Sequence, residues 1–400
     1  GRLDGVPTAI KDLLLTRGWP TLRGSKAVDP DQPWDEDAPA VARLKEHGAV
    51  LLGKTTTPEF GWKGVTDSPL TGITRNPWDP AKTPGGSSGG SAVAVATGMA
   101  ALAVGTDGGG SIRIPAGFTG VFGLKPSFGR VPAHPLSPFG TVAHLGPMSR
   151  GVADSALMLT VLAEPDPRDW YALPYDRADY ANGLDDGVKG LRIAWSPRLG
   201  GHPVELEIAN LAAAAAQRFA DLGATVEEAE PDLAAADVAQ VFRVHWYAGA
   251  ANLLAGFPAE RKKEVDPGLL EIAAEGARYS LLDYLAAVKG REALGVAMNR
   301  FHQDYDLLLT PSLPLAAFEA GVEWPPNHGD RRWADWTPFS YPFNLTRQPA
   351  ASVPCGLTAA GLPAGLQIVG PLYADALVLR AARAYEAACP WPLPALEARA

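Results

Sequence analysis

The sequence is short of cysteine, of long apolar runs and of net positive charge, and each shortage excludes a class of protein. Two cysteines, Cys355 and Cys389, are too few for a disulfide framework and lack the spacing of a zinc site. No uninterrupted apolar run reaches the roughly 18 residues of a membrane-spanning helix. A net charge of −9 disfavours a broad electrostatic grip on nucleic acid or on an anionic membrane. We therefore expect no nucleic-acid partner and no membrane span.

What remains is a globular composition, with 46% hydrophobic and 20% charged residues in a chain of 400. Strand-like apolar runs alternate with amphipathic helical runs along the chain, which is typical of layered α/β proteins. We predict one layered α/β/α domain over residues 1–400, with a large, mostly parallel or mixed central sheet covered by helices. Residues from about 197 to 305 are predicted to be rich in helices. Residues 1–5 lack the features of a signal peptide, so we expect a cytoplasmic location.

Two clusters rich in glycine and serine, residues 84–91 and 105–113, lie close together in the first third of the chain. Glycine loses more backbone freedom on folding than any other residue, so two such loops need a reason. In the second cluster, the N–H groups of Gly108, Gly109 and Gly110 can point inward and bind an anion, with Ser111 at the edge. One interpretation is an oxyanion hole beside a nucleophilic serine, and the alternative is an ordinary glycine turn.

Other catalytic motifs fit less well. Residues 86–90 match the G-x-S-x-G nucleophile elbow with Ser88 in the middle, but the proline-rich residues 76–84 stand where that motif needs a strand. No lysine follows Gly90, which disfavours a phosphate-binding loop. The seven histidines are scattered, and none lies in a motif that suggests a catalytic base. A serine nucleophile here therefore needs a different base.

Lys11 is a candidate for that base, because it ends a predicted buried strand over residues 6–10. Burial disfavours the ammonium form and lowers the pKa of a lysine, and a neutral lysine can accept a proton. On the residues alone, the alternative is a solvated lysine at the surface.

Four segments together resemble the amidase signature family: Gly5 to Asp12, Pro84 to Ser91, Gly105 to Pro115 and Gly123 to Pro126. The resemblance continues through residues 146–148, 349–356 and 361–370, so it spans nearly the whole chain. It implies the family's α/β fold and an amide hydrolase that acts on a small-molecule amide without a metal or organic cofactor. The family usually carries a helical segment before the lysine strand, which we expect to be absent here.

The resemblance also implies a Ser-cisSer-Lys triad at Ser111, Ser87 and Lys11. In that triad Ser111 forms an acyl-enzyme, Ser87 relays its proton next to a cis Gly86–Ser87 peptide, and neutral Lys11 is the base. The separation of 24 residues between the two serines selects Ser87 over Ser88 as the relay. By the same resemblance, the oxyanion is held by N–H groups of Gly108, Gly109, Gly110 and Ser111, and the loop is supported by Ser88, Asp107 and Arg113.

The substrate is less constrained, because the family hydrolyses many amides. Residues 337–344 lack the carboxylate with which the glutaminase subunit of the tRNA-dependent amidotransferase holds the amino group of glutamine. An apolar or aromatic acyl group is therefore favoured, with Trp62, Phe139, Phe339 and Phe343 as candidate pocket residues. The alternative function is a glutaminase-type or non-catalytic subunit of an amidotransferase-like complex, and a homodimer stays open as the assembly.

Overall fold

The computed structural model describes residues 1–326, 329 and 331–395. Its strands are β1 (Pro7–Lys11), β2 (Val50–Thr55), β3 (Asp67–Ser68), β4 (Gly72–Ile73), β5 (Leu102–Asp107), β6 (Phe122–Lys125), β7 (His144–Ser149), β8 (Arg192–Trp195), β9 (Thr225–Glu228), β10 (Leu307–Pro311), β11 (Ala350–Leu357) and β12 (Pro363–Val369). Its α-helices are α1 (Pro39–Glu46), α2 (Gly89–Ala96), α3 (Arg113–Thr119), α4 (Val152–Leu162), α5 (Leu206–Asp221), α6 (Val238–Ala255), α7 (Ala259–Lys262), α8 (Pro267–Gly276), α9 (Leu281–Asp304), α10 (Pro342–Leu345) and α11 (Asp375–Ala388).

Ten of these strands form one mixed sheet in the order β2-β1-β5-β7-β6-β11-β12-β10-β8-β9. The two flanks, β2-β1-β5 and β10-β8-β9, are parallel. Between them every neighbouring pair is antiparallel. The predicted α/β fold with a large, helix-covered central sheet is confirmed, and the sheet is mixed rather than mostly parallel.

Apolar side chains from strands and helices meet in one large core on the sheet. Ile10 on β1 and Val104 on β5 are fully buried there with Leu44 of α1 and Leu159 of α4. Helix α1 starts with Pro39, a residue suited to the first turn because that turn's N–H groups have no partner within the helix. These contacts hold β1 rigidly, which matters because β1 ends at Lys11.

The segment predicted to be rich in helices contains α5 to α9 and one edge strand, β9. Helices α8 and α9 both pack on α6. Helix α9 begins with a capping box, in which Ser280 and Asp283 each accept a hydrogen bond from the other's backbone N–H. No helix in the described part of the chain is both long enough and apolar enough to cross a membrane. That residues 1–400 form a single domain stays a prediction.

Candidate active site

The neighbouring parallel strands β1 and β5 bring Lys11 to the second glycine cluster. Their register pairs Ile10 with Val104, so the two strands end at the same edge of the sheet. The next residue on β1 is Lys11, and β5 continues to Thr106, whose Oγ1 lies 2.8 Å from Lys11 Nζ. The first glycine cluster meets the same edge, because the Ser88 N–H donates to the Ser111 carbonyl at 3.0 Å.

Lys11 is fully buried and is surrounded by hydroxyl groups. Its Nζ lies 2.7 Å from Ser87 Oγ, 2.9 Å from Ser88 Oγ and 2.8 Å from Thr106 Oγ1. A hydroxyl can either donate or accept a hydrogen bond. The three groups can therefore accept the three protons of an ammonium, and one of them can turn to donate to the lone pair of a neutral amine.

Burial of Lys11 favours the neutral amine. Burial holds the pKa of Lys11 well below its usual value of 10.5, against an opposing attraction from the Asp107 carboxylate. That carboxylate is paired with Arg113 at 2.9 Å, and both side chains are fully buried. Burial alone would raise the pKa of Asp107, but the Arg113 charge holds it well below its usual range. Because Arg113 compensates the charge of Asp107, the carboxylate only partly opposes the effect of burial on Lys11.

The glycine loop after β5 approaches three aromatic side chains closely. A Cβ on Gly108 would lie 2.7 Å from Trp246, and a Cβ on Gly109 would lie 2.7 Å from both Phe242 and Trp333. Gly110 adopts a φ of +124°, where a side chain would be strained, and its Cβ would reach within 2.4 Å of the Ser340 hydroxyl. Only glycine fits at these three positions.

The N–H groups of this loop divide into two sets. The Gly110 N–H, predicted as an oxyanion donor, instead donates to Asp107 Oδ1 at 2.7 Å, because the carboxylate folds back under the loop. The N–H groups of Gly108, Gly109 and Ser111 have no hydrogen-bond acceptor in the part of the chain that the structure describes. Those three remain available to hold an oxyanion.

Asp107 and Arg113 brace the loop from below. The Asp107 carboxylate accepts hydrogen bonds from the N–H groups of Gly110 and Ile112, from Arg113 and from Asn344. The remaining Arg113 donors reach the Ser340 carbonyl and the side chains of Gln367 and Asn344, at the distant end of the chain. Every guanidinium N–H thus has an acceptor, which a buried charge requires.

Substituting Arg113→Met should destabilise the protein strongly, because it leaves Asp107 charged and buried without its partner. We expect a loss of about 3–5 kcal/mol in the free energy of unfolding, measured by urea denaturation. Arg218→Met is the matched control, since Arg218 pairs with Asp221 at the surface and such pairs contribute only about 0–1 kcal/mol. A loss of the same small size for Arg113→Met would contradict the prediction that Asp107 is charged and depends on Arg113 as its partner.

The predicted nucleophile and relay face the same cleft. Ser87 and Ser111 both line it, together with Gly61, Gly108 and Thr106. The Gly86–Ser87 peptide is cis, as the resemblance implies. Within the described residues no side-chain hydrogen bond joins Ser87 to Ser111, so the relay is connected to Lys11 but not yet to the nucleophile. Such bonds often tighten only when substrate binds.

The cleft encloses about 1070 Å³ of empty space, its open mouth included, and its walls are largely apolar. Phe139, predicted as a pocket residue, lines it and stacks on Trp246 with ring centroids 3.7 Å apart. Further aromatic lining comes from residues that the sequence analysis did not name, namely Phe60, Phe128, Tyr171 and Trp246. A cleft of this kind suits an apolar or aromatic ligand.

The other three predicted pocket residues lie elsewhere, and the prediction was wrong for them. Trp62 is fully buried one layer behind the wall, where its carbonyl accepts a hydrogen bond from the Trp246 indole. Phe339 and Phe343 are buried in a separate apolar cluster with Leu308 of β10. Residues 337–344 therefore support the glycine loop from beneath, through Ser340 and Asn344, rather than line the cleft.

Two residues near the reaction centre were not identified from the sequence. Thr106 lies in the second glycine cluster, between Gly105 and Asp107, but nothing in the sequence places its hydroxyl next to Lys11. His144 lines the cleft, and its Nδ1 lies 2.8 Å from the Val142 carbonyl. Burial and the nearby Lys125 hold the pKa of His144 well below its usual value, so the ring is neutral and its Nε2 keeps a lone pair. Only the fold brings His144 to this site.

Known proteins resemble the chain in both sequence and structure. A family model described as Amidase matches residues 1–379. An acylamidase of Rhodococcus erythropolis is 40% identical over 397 residues, 98% of this chain and 83% of that protein. A glutamyl-tRNA(Gln) amidotransferase component of Synechococcus sp. (strain CC9902) is 37% identical over 418 residues, 97% of this chain and 83% of that one. The crystal structure of a bacterial aryl acylamidase superposes with a TM-score of 0.91 at 33% identity, covering 98% of this chain and 84% of that chain.

Proposed function

The chain belongs to the amidase signature family of amide hydrolases, and from that premise we propose that it hydrolyses a carboxylic amide through an acyl-enzyme on Ser111. Ser87 is the proton relay and neutral Lys11 is the base. The observation that carries the proposal is the buried 2.7 Å contact between Lys11 Nζ and Ser87 Oγ, beside a cleft that Ser87 and Ser111 share. The products are a carboxylic acid and an amine or ammonia.

In the first half of the reaction, Ser111 Oγ attacks the amide carbonyl carbon. Its proton passes to Ser87, whose own proton passes to the lone pair of Lys11. The carbonyl oxygen becomes an oxyanion, which the N–H groups of Gly108, Gly109 and Ser111 stabilise. Removing one such donor from other hydrolases costs about 3–4 kcal/mol, so a set of convergent donors makes a large contribution.

The tetrahedral intermediate then collapses and the carbon–nitrogen bond breaks. The leaving nitrogen takes a proton from Ser87, which recovers one from the Lys11 ammonium. Water next attacks the Ser111 ester and gives up its proton along the same path, and the acid departs as Ser111 regains its proton. Lys11 returns to the neutral amine, so one water is consumed for each amide bond broken.

Thr106 supports this proposal because its hydroxyl contacts the base directly. Ser88 donates its own proton to the Thr106 carbonyl at 3.0 Å, so Ser88 serves Lys11 as an acceptor. The lone pair of neutral Lys11 must then accept a hydrogen bond from Ser87 or from Thr106. When Thr106 accepts from Lys11, the lone pair faces Ser87, as the relay requires.

Substituting Thr106→Val should make Lys11 a weaker base, because the Lys11 ammonium loses one of its three acceptors. A hydrogen bond to a charged group contributes about 1.5–3 kcal/mol, so kcat should fall by about 10- to 100-fold. The pKa of Lys11 should fall further, and the acidic limb of the pH–rate profile should move to lower pH. Thr106→Ser keeps the hydroxyl and should keep both properties. A valine variant whose acidic limb stays in place would contradict this role.

The acyl group that we propose is apolar or aromatic. Phe128, Phe139 and Trp246 line the cleft, and such walls favour apolar ligands through burial of their surface. The likeness to an amidotransferase component favours a second candidate function, in which the chain releases ammonia from glutamine within a larger complex.

A panel of amides separates the two functions. The purified chain is assayed for acid and amine release from aliphatic, aryl and aminoacyl amides, with glutamine included. Turnover of aryl or aliphatic amides by the chain alone supports the proposed function. Turnover of glutamine only, or of nothing until a partner chain is added, would transfer the assignment to the second candidate.

A further inference from the structure

One cation lines the cleft without a committed partner. Of the described residues that line it, Arg23 and Asp169 carry a formal charge. The Asp169 carboxylate accepts hydrogen bonds from the N–H groups of Ala133 and Tyr171, both at 2.8 Å. The Arg23 guanidinium, in contrast, forms no hydrogen bond or ion pair with any other described residue, although burial lowers its pKa. Arg23 is half-buried, and none of its side-chain nitrogens is sealed from solvent, so the guanidinium stays accessible to a ligand in the cleft.

No acidic group near Arg23 forms an ion pair with it among the described residues. Asp12 lies 3.7 Å from Lys54 Nζ; burial raises the pKa of Asp12, and Lys54 and the backbone N–H groups of residues 22–24 oppose that rise. Arg23 also borders an adjoining groove with Asp29, Asp35 and Glu36. None of these three carboxylates forms an ion pair with it within the described residues, and Glu36 pairs with Arg168 instead. The Asp12 charge opposes the lowering of the Arg23 pKa, but no described carboxylate forms an ion pair with the guanidinium.

The backbone holds Arg23 close to the relay serine. Its φ of 57° lies in the left-handed region, which is uncommon for a residue other than glycine and costs about 1–3 kcal/mol. The Arg23 carbonyl accepts the Phe60 N–H at 2.8 Å, and Phe60 is also left-handed. The next residue, Gly61, lies against Ser87, because a Cβ on it would be 3.3 Å from Ser87 Oγ. Arg23 is therefore connected to the site through this hydrogen bond and Gly61.

The position of Arg23 determines which portion of the substrate it can contact. In the proposed reaction Ser87 protonates the leaving nitrogen, so the amine portion lies on the Ser87 side of Ser111. Phe60, Gly61 and Arg23 line that side, whereas Ala143 and Trp246 lie beside the glycine loop on the other. We infer that the enzyme prefers amides whose amine portion carries a carboxylate, that is N-acyl amino acids, and that Arg23 is the residue that binds this carboxylate.

The chemistry of the two groups fits this assignment. A guanidinium presents a planar fork that matches a carboxylate with two parallel hydrogen bonds. The carboxylate also supplies a partner for the half-buried Arg23, which pairs with no carboxylate among the described residues. The inference rests on the proposed function, since it uses the direction in which Ser87 returns its proton.

The test compares matched substrates. N-hexanoyl derivatives of ω-amino acids with about one to five methylenes between nitrogen and carboxylate are each paired with the N-hexanoyl n-alkylamide of equal length. The wild-type enzyme should show a higher kcat/KM for the acid at the best spacing. Arg23→Met should reduce that preference by about 10- to 100-fold, the range expected for charge-assisted hydrogen bonds, and mostly through KM. Arg23→Lys should restore part of it.

Arg218→Met is the control, because Arg218 is exposed and remote from the cleft, and the preference should stay as in the wild type. The inference is overturned if the wild type shows no preference for the acids, or if Arg23→Met lowers kcat/KM equally for the acids and the neutral amides. The proposed function stands in either case. If neither series nor any amide of the wider panel is hydrolysed, the proposed function itself fails, and the two failures are thereby told apart.

Discussion

Replacing Ser111 with alanine is expected to remove amide hydrolysis almost completely. Loss of the serine nucleophile in a comparable hydrolase lowers kcat by about 10⁶-fold, and we expect an effect of that size. The reason is that Ser111 forms the covalent bond to the acyl group in the proposed mechanism, and its own N–H is one of the unpaired N–H groups of the glycine loop among the described residues. The measurement is the rate of amine release from the best amide, together with labelling by a fluorophosphonate probe.

The labelling experiment needs a second serine as a reference. Ser280 lies at the start of α9, where it caps the helix, so Ser280→Ala should lose a little stability and keep full labelling. Ser111→Ala should not be labelled at all. Persistent labelling of Ser111→Ala with undiminished turnover would refute Ser111 as the nucleophile.

Replacing Lys11 with methionine is expected to lower kcat by about 10²- to 10⁴-fold, the usual contribution of a general base. The pH dependence is informative, because burial holds the pKa of Lys11 well below 10.5 and only the neutral form accepts a proton. The wild-type rate should therefore fall as the pH drops through this lowered pKa and level off above it. Lys11→Met should lose the plateau, and its residual rate should rise with hydroxide concentration.

Lys11→Arg provides the control for this prediction. Arginine keeps the positive charge and hydrogen-bond donors but does not deprotonate in proteins. It should therefore be as inactive as the methionine variant, provided that circular dichroism shows an intact fold. An active arginine variant with an unchanged pH profile would mean that Lys11 acts as a donor and not as a base.

The sequence could identify candidate site residues where they lie in short, dense motifs. Lys11, Ser87 and Ser111 stand in three such segments, and the apolar run over residues 6–10 predicted β1 as a strand, whereas its parallel pairing with β5 is visible only in the structure. The free N–H groups of Gly108 and Gly109 agree with the proposed oxyanion hole. The correction at Gly110 depends on a carboxylate that folds back under its own loop, and residue types alone do not determine that direction.

The walls of the cleft were much harder to predict. Trp62, Phe339 and Phe343 are aromatic residues in suitable segments, but an aromatic side chain packs equally well into a core or a pocket. What separates Phe139 from Phe343 is tertiary contact with α6 and β10, between segments far apart in the sequence. The same reason explains why Thr106 and His144 could not be assigned without coordinates, and why Arg23 gave no sequence signal.

The hydrogen bonds that hold Arg113 come from residues near the end of the chain, which has a consequence for folding during translation. The nucleophile, relay and base have all been made once residue 111 is added, but the arginine that steadies their loop depends on Asn344 and Gln367. Strand β6, which follows this loop, likewise waits for β11. We therefore expect a nascent chain to carry all three residues of the proposed triad early in translation and to gain activity only after the ribosome has passed residue 367.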